Sequence, residues 1–81
     1  MNNGVLPLSF LPGGQKATIK DIAGGPGMRR RLTELSFVRG VVVRVIRNDN
    51  WGPLIVSLGN GRLVIGRGMA HKIMVEVSDS E

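Results

Sequence analysis

Apolar positions along this chain switch between a spacing of two and a spacing of three to four, and each switch marks an element. Leu8 and Leu11, three apart, predict a single helical turn near the N-terminus, closed by Pro12, Gly13 and Gly14. From Gln15 to Ile22 the period becomes two. Ala17 and Ile19 fall on one side and Lys16, Thr18 and Lys20 on the other, as in a half-buried strand. Gly24, Gly25, Pro26 and Gly27 end that strand, and Met28, Leu32 and Leu35 then recur at i, i+4 and i+7. At 100° per residue these three lie within a stripe of roughly 60°, with Arg30 and Glu34 pointing away, so an amphipathic helix is predicted. Phe37 and Val38 are expected to continue the burial beyond it.

The second half of the chain reads almost wholly as strand and turn. Val41, Val43 and Val45 form one face of the next strand, while Val42, Ile46 and Arg44 form the other. Both faces are mainly apolar, which predicts two covers: the barrel interior, and either the helix or a second subunit. Asn48 to Pro53 is a turn cluster with the sole tryptophan, Trp51, at its tip. Leu54, Val56 and Leu58 share a face of the following strand. Gly59, Asn60, Gly61 and Arg62 hold the Asn-Gly pair favoured in two-residue hairpin turns. Arg62 to Ile65 makes a fourth strand, Gly66 to His71 leaves room for one tight helical turn, and Ile73, Val75 and Val77 line a fifth.

Five short strands with one helix inserted after the first describe a mainly β fold, a small and partly open barrel of the SH3-like type with an N-terminal helical turn. The OB-like alternative carries its helix between the third and fourth strands, where this sequence offers only a hairpin. The expected organisation is a flexible N-terminus over residues 1–7, one domain over 8–77 and a frayed end over 78–81.

Composition narrows the function. The 81 residues suffice for one small domain, and a chain of this size buries only roughly 60% of its extended surface, so its core is marginal. With no cysteine, no disulfide or thiolate metal site can staple it; a reducing cytoplasm is consistent with this. No apolar run reaches the ~20 residues of a membrane helix, so a soluble protein without membrane insertion is expected. Eleven Lys and Arg against six Asp and Glu give a net charge of +5, which favours acidic partners.

Catalysis lacks an inventory. There is one histidine, no cysteine and no paired carboxylate close in sequence, so no enzyme is expected. His71 is a weak candidate metal ligand, because Glu34, Asp49 and Glu76 have no spacing that brings them to it. The Gly24–Gly27 loop lacks the Lys-Ser/Thr of a phosphate-binding loop and reads as turn chemistry.

The charge is concentrated in Arg29, Arg30 and Arg31, placed by this reading in the first turn of the helix, where the helix dipole disfavours cations. With Arg39, Arg44, Arg47, Arg62 and Arg67 they could grip nucleic-acid phosphates, the alternative function. Base stacking needs interleaved aromatics, however, and the chain has only Phe10, Phe37 and Trp51, two of them in apolar settings. A protein contact formed by Arg29, Arg30, Arg31, Leu35, Phe37 and Arg39 is the better account, and no nucleic acid is expected. A homo-oligomer burying Val42 and Ile46 is a further possibility.

The order and spacing of Leu8, Leu11, Gly14, Ala17, Ile19 and Ile22, then Arg30, Arg31, Leu32, Glu34, Leu35, Phe37 and Gly40, then Gly52, Pro53 and Leu54, then Ala70, Ile73 and Val75, resemble the FeoA family of ferrous iron transport. The resemblance runs from about Leu8 to Val77. It implies an SH3-like cytoplasmic accessory protein, peripheral to the membrane through its partner, the iron permease FeoB with its cytoplasmic GTP-binding domain. It requires no cofactor; Fe(II) or another divalent metal has no evident ligand set here. Related domains occur at the C-terminus of metal-dependent repressors, but this chain has no segment for a DNA-binding helix pair. One position departs from the family. Where its members usually have glycine after Glu-Leu at the helix end, this chain has Ser36, which would cost on the order of 1 kcal/mol if the backbone there takes positive φ.

Overall fold

A computed structural model describes residues 4–59 and 61–78. The chain forms β1 (Leu6–Pro7), a 3₁₀ turn (Leu8–Phe10), β2 (Lys16–Ile22), α1 (Pro26–Glu34), β3 (Val42–Arg47), β4 (Leu54–Leu58), β5 (Gly61–Ile65), α2 (Arg67–Ala70) and β6 (Ile73–Val77). The strands make one antiparallel sheet in the order β1-β6-β2-β3-β4-β5. This is a mainly β, SH3-like architecture, with the helix after the first long strand as the periodicity predicts. The sheet is curled but not closed, since its outer strands β1 and β5 do not pair with each other.

A sixth strand joins the expected five. Leu6 and Pro7, assigned by sequence to a flexible N-terminus, pair with Val75 and Met74. Two residues, one of them proline, are too short to show a period, so this strand exists only through its partner. At the other end Ser78 is tied down rather than frayed: its N–H donates to the Lys16 carbonyl at 3.0 Å. Backbone pairing to the sheet thus includes residues 6, 7 and 78, and the expectations for 1–3 and 79–81 lie outside the described residues.

Strand alternation places Ala17, Ile19, Val43, Val45, Leu54, Val56, Ile73 and Val75 on the inner face, each fully buried. Two bulges interrupt it. One, between Ile19 and Asp21, lets Ile22 return to the core three residues after Ile19; the other falls between Val45 and Arg47. Such bulges bend and twist a strand, which a sheet this short needs in order to curl round its core. No element among the described residues of the chain covers the outer face of β3: Val42 is 49% exposed, Arg44 is exposed and Ile46 is half-buried. Val77 is also exposed, at the end of β6. In the β4–β5 hairpin Gly61 pairs with Leu58 and so belongs to the strand, while Gly59 takes the positive φ, +57°. Asn60 lies outside the described residues.

The helix begins two residues before Met28, with Gly25 as N-cap and Pro26 in the first helical position, where its missing N–H costs nothing. Arg29 closes the first turn, Arg30 lies beyond it, and Arg31 is in the last one, where the dipole favours a cation. The expectation that all three oppose the dipole is overturned. The helix ends in a Schellman arrangement: Phe37 N–H donates to Leu32 O and Ser36 N–H to Thr33 O, both at 2.9 Å. Its hydrophobic contact is the pair Leu32 and Phe37, both fully buried. The residue that must turn left-handed is Ser36, at φ +76°. Val38, by contrast, is exposed.

Candidate protein-interaction face

Consecutive residues on a helix diverge by about 100°, so three adjacent arginines cannot share one surface. Around α1 they split. Arg30 and Arg31, with Gly27, Glu34 and Leu35, line one flank of the helix, opposite Val64, Ile65, Gly66 and Met69. Between the two walls lies an open groove of about 630 Å³. Arg29 turns to the other flank, where its guanidinium lies 3.6 Å from the Asp21 carboxylate. There it borders a smaller depression of about 220 Å³ with Lys20, Thr33 and Arg39. Arg39 is committed to the backbone, donating from Nε to the Lys20 carbonyl at 3.1 Å.

The larger groove combines charge with accessible apolar surface. Arg30 and Arg31 take part in none of the ion pairs among the described residues. Leu35 is 40% exposed and Val64, on the edge strand β5, is 63% exposed. Of the six predicted contact residues, the fold brings together Arg30, Arg31 and Leu35. Phe37 is a correction: it is fully buried as the hydrophobic stop of α1 and touches no solvent. Val64 and Met69 were missed because they come from β5 and α2, some thirty or more residues away in sequence; the even position of Val64 on an alternating strand was the available signal.

A second constellation binds three loops to one another. Asn48 donates from Nδ2 to the carbonyls of Ser9 at 3.0 Å and Leu11 at 2.8 Å. Its Oδ1 accepts from Arg67 Nη2 at 2.7 Å and from the Asn50 N–H at 3.0 Å. Arg67 also donates from Nε to the Gly52 carbonyl at 3.1 Å. Ser9 Oγ and His71 Nδ1 are hydrogen-bonded at 3.1 Å. Arg67, grouped by composition with possible phosphate contacts, is thus a clamp between α2, the β3–β4 loop and the N-terminal turn. His71 sits beside Phe10, their ring centroids 5.7 Å apart. Phe10 is 63% exposed. Asp49 pairs with Arg47 and Glu76 with Lys20, and no group of three or more His, Asp or Glu side chains converges among the described residues.

A sequence model of the FeoA domain matches residues 6–77, from the first residue of β1 to the last of β6. The chain belongs to the FeoA family. A protein of Methanocaldococcus jannaschii designated a Fe(2+) transport protein A is 43% identical over 70 residues, spanning 86% of this chain and 84% of that protein. Among solved structures, an iron uptake regulatory protein, FeoA, superimposes with a TM-score of 0.87 at 33% identity, over 93% of this chain and 100% of the other. The FeoA of Stenotrophomonas maltophilia, crystallised with zinc and described as an SH3 domain protein, gives 0.75 at 30% identity, covering 86% and 88%. The family places this chain among ferrous iron transport proteins, as an accessory not known to be an enzyme. No helix among the described residues of this FeoA protein is long and apolar enough to cross a membrane.

Proposed function

We propose that this FeoA protein is a non-catalytic cytoplasmic accessory of ferrous iron uptake that binds the GTP-binding domain of an FeoB-like permease through the groove between α1 and β5. The observation that carries the reading is the juxtaposition of two arginines free of ion pairs among the described residues with exposed Leu35 and Val64. Arginine beside accessible aliphatic surface is the composition of an interface anchor, since its guanidinium takes bidentate carboxylates while its stem packs on apolar groups. A segment with an acidic residue next to a leucine-like side chain fits both walls. Membership in a family of ferrous iron transport proteins supports an iron permease as the partner. Contact at this groove supports or regulates the permease and keeps the protein peripheral to the membrane. The proposed contact draws on the groove and not on a bound metal: Asp21, Asp49 and Glu76 lie in separate ion pairs, and Glu34 lines the groove itself.

Titration calorimetry with the cytoplasmic domain of the permease tests this. The R30A/R31A double variant is expected to bind about 30-fold more weakly, the loss typical of a hot-spot pair, with unchanged thermal stability. Undiminished affinity would remove the groove from the interface, and no binding by the unmodified chain would remove the permease as its partner. The GTP hydrolysis rate in the same mixture distinguishes support from regulation.

A further inference from the structure

Trp51 is 87% exposed and Phe10 is 63% exposed, so two of the three aromatic side chains of this protein lie outside its core. Neither is placed by chance. Arg67 donates to the Gly52 carbonyl, beside Trp51, and reaches the Ser9 carbonyl, beside Phe10, at 3.5 Å. The loop of Trp51 and the turn of Phe10 are thereby fixed as one corner, completed by His71 against the Phe10 ring. The charge around it is mainly positive. Arg47 and Arg67 flank the loop and Lys72 follows His71; the carboxylate at hand, Asp49, is held by Arg47 at 3.2 Å.

We infer that this corner docks on the anionic interface of a lipid bilayer. Charge favours an anionic surface, and neither Phe10 nor Trp51 lines the grooves beside α1 or the depression on the outer face of β3. Two exposed aromatic side chains can enter a soft interface without a preformed hollow. Indole rings partition to the headgroup level of a bilayer, and neighbouring cations are drawn to anionic lipids. The net charge of +5 has the complementary sign. The corner and the α1–β5 groove draw on different residues of α2, Arg67 for one and Met69 for the other.

Trp51 is the sole tryptophan in a chain without tyrosine, so its fluorescence reports on the corner alone. With vesicles of about one-third phosphatidylglycerol in phosphatidylcholine, the full chain is expected to co-sediment and its emission to shift to the blue. The F10S/W51A double variant, folded by circular dichroism, is expected to lose about tenfold or more in vesicle affinity. The R30A/R31A variant is expected to keep it, which separates this inference from the permease reading. Three results would overturn it: unshifted emission with no more sedimentation than with neutral vesicles, equal sedimentation of F10S/W51A, or a shift seen only when the vesicles carry the permease.

Discussion

At Ser36 a left-handed backbone, φ +76°, is imposed on a residue with a Cβ. That conformation costs about 1–2 kcal/mol for an L-residue. Glycine would relieve the strain and lose roughly 0.5–1 kcal/mol to the entropy of the unfolded chain. Ser36→Gly is therefore expected to stabilise by about 0.5–1 kcal/mol, raising Tm by a few degrees at this size. Thermal unfolding checks it, and no gain would mean that the Schellman hydrogen bonds of Ser36 and Phe37 already absorb the strain. Asn50, at φ +71°, is the useful contrast. Its short amide suits αL, and its N–H is capped by Asn48 Oδ1, so its conformation carries far less strain.

At the scale of the element, α1 is a helix of nine residues held by very little of its own surface. Leu32 is its sole fully buried side chain; Met28 is half-buried and Leu35 lies open at the groove. The apolar stripe is thus graded rather than uniform. Leu32→Ala is expected to cost about 2–5 kcal/mol in urea denaturation, since it leaves a cavity against Phe37. Leu35→Ala should stay within about 0.5 kcal/mol, as an exposed position does. Equal costs would show that Leu35 packs inward in solution and would weaken its place in the interaction face.

Across the whole molecule, the exposed face of β3 invites a second copy, because Val42 is uncovered. Its surroundings argue otherwise. Val42 shares its depression with Lys16 and Arg44, and a two-fold contact presses two such cationic patches together in a protein already at +5. Sedimentation velocity at low salt is expected to show a monomer. A dimer abolished by Val42→Asp would reverse that expectation and restore the second cover for β3. The distribution of function is also set at this scale: one basic groove beside α1, one aromatic corner beyond α2, and a core that contributes neither.

What the sequence determined by itself is what depends on near neighbours: the alternation of β2 to β6, the stripe of α1, the glycine and proline breaks, the turn at Leu8, and the strain at Ser36 once the family pattern was set beside it. Periodicity says which face of an element can be buried, not whether anything covers it. Only the tertiary structure decided that Val42 and Phe10 stay exposed, that Phe37 does not, that Leu6 and Pro7 join β6, and that Arg30 and Arg31 face β5 while Arg29 meets Asp21. It also turned Arg67 and Asn48 from loop polars into the clamp that fixes Trp51 and Phe10. Each of these depends on contacts between residues far apart in the chain, and in a small domain with one curled sheet there is too little mass to cover every apolar face.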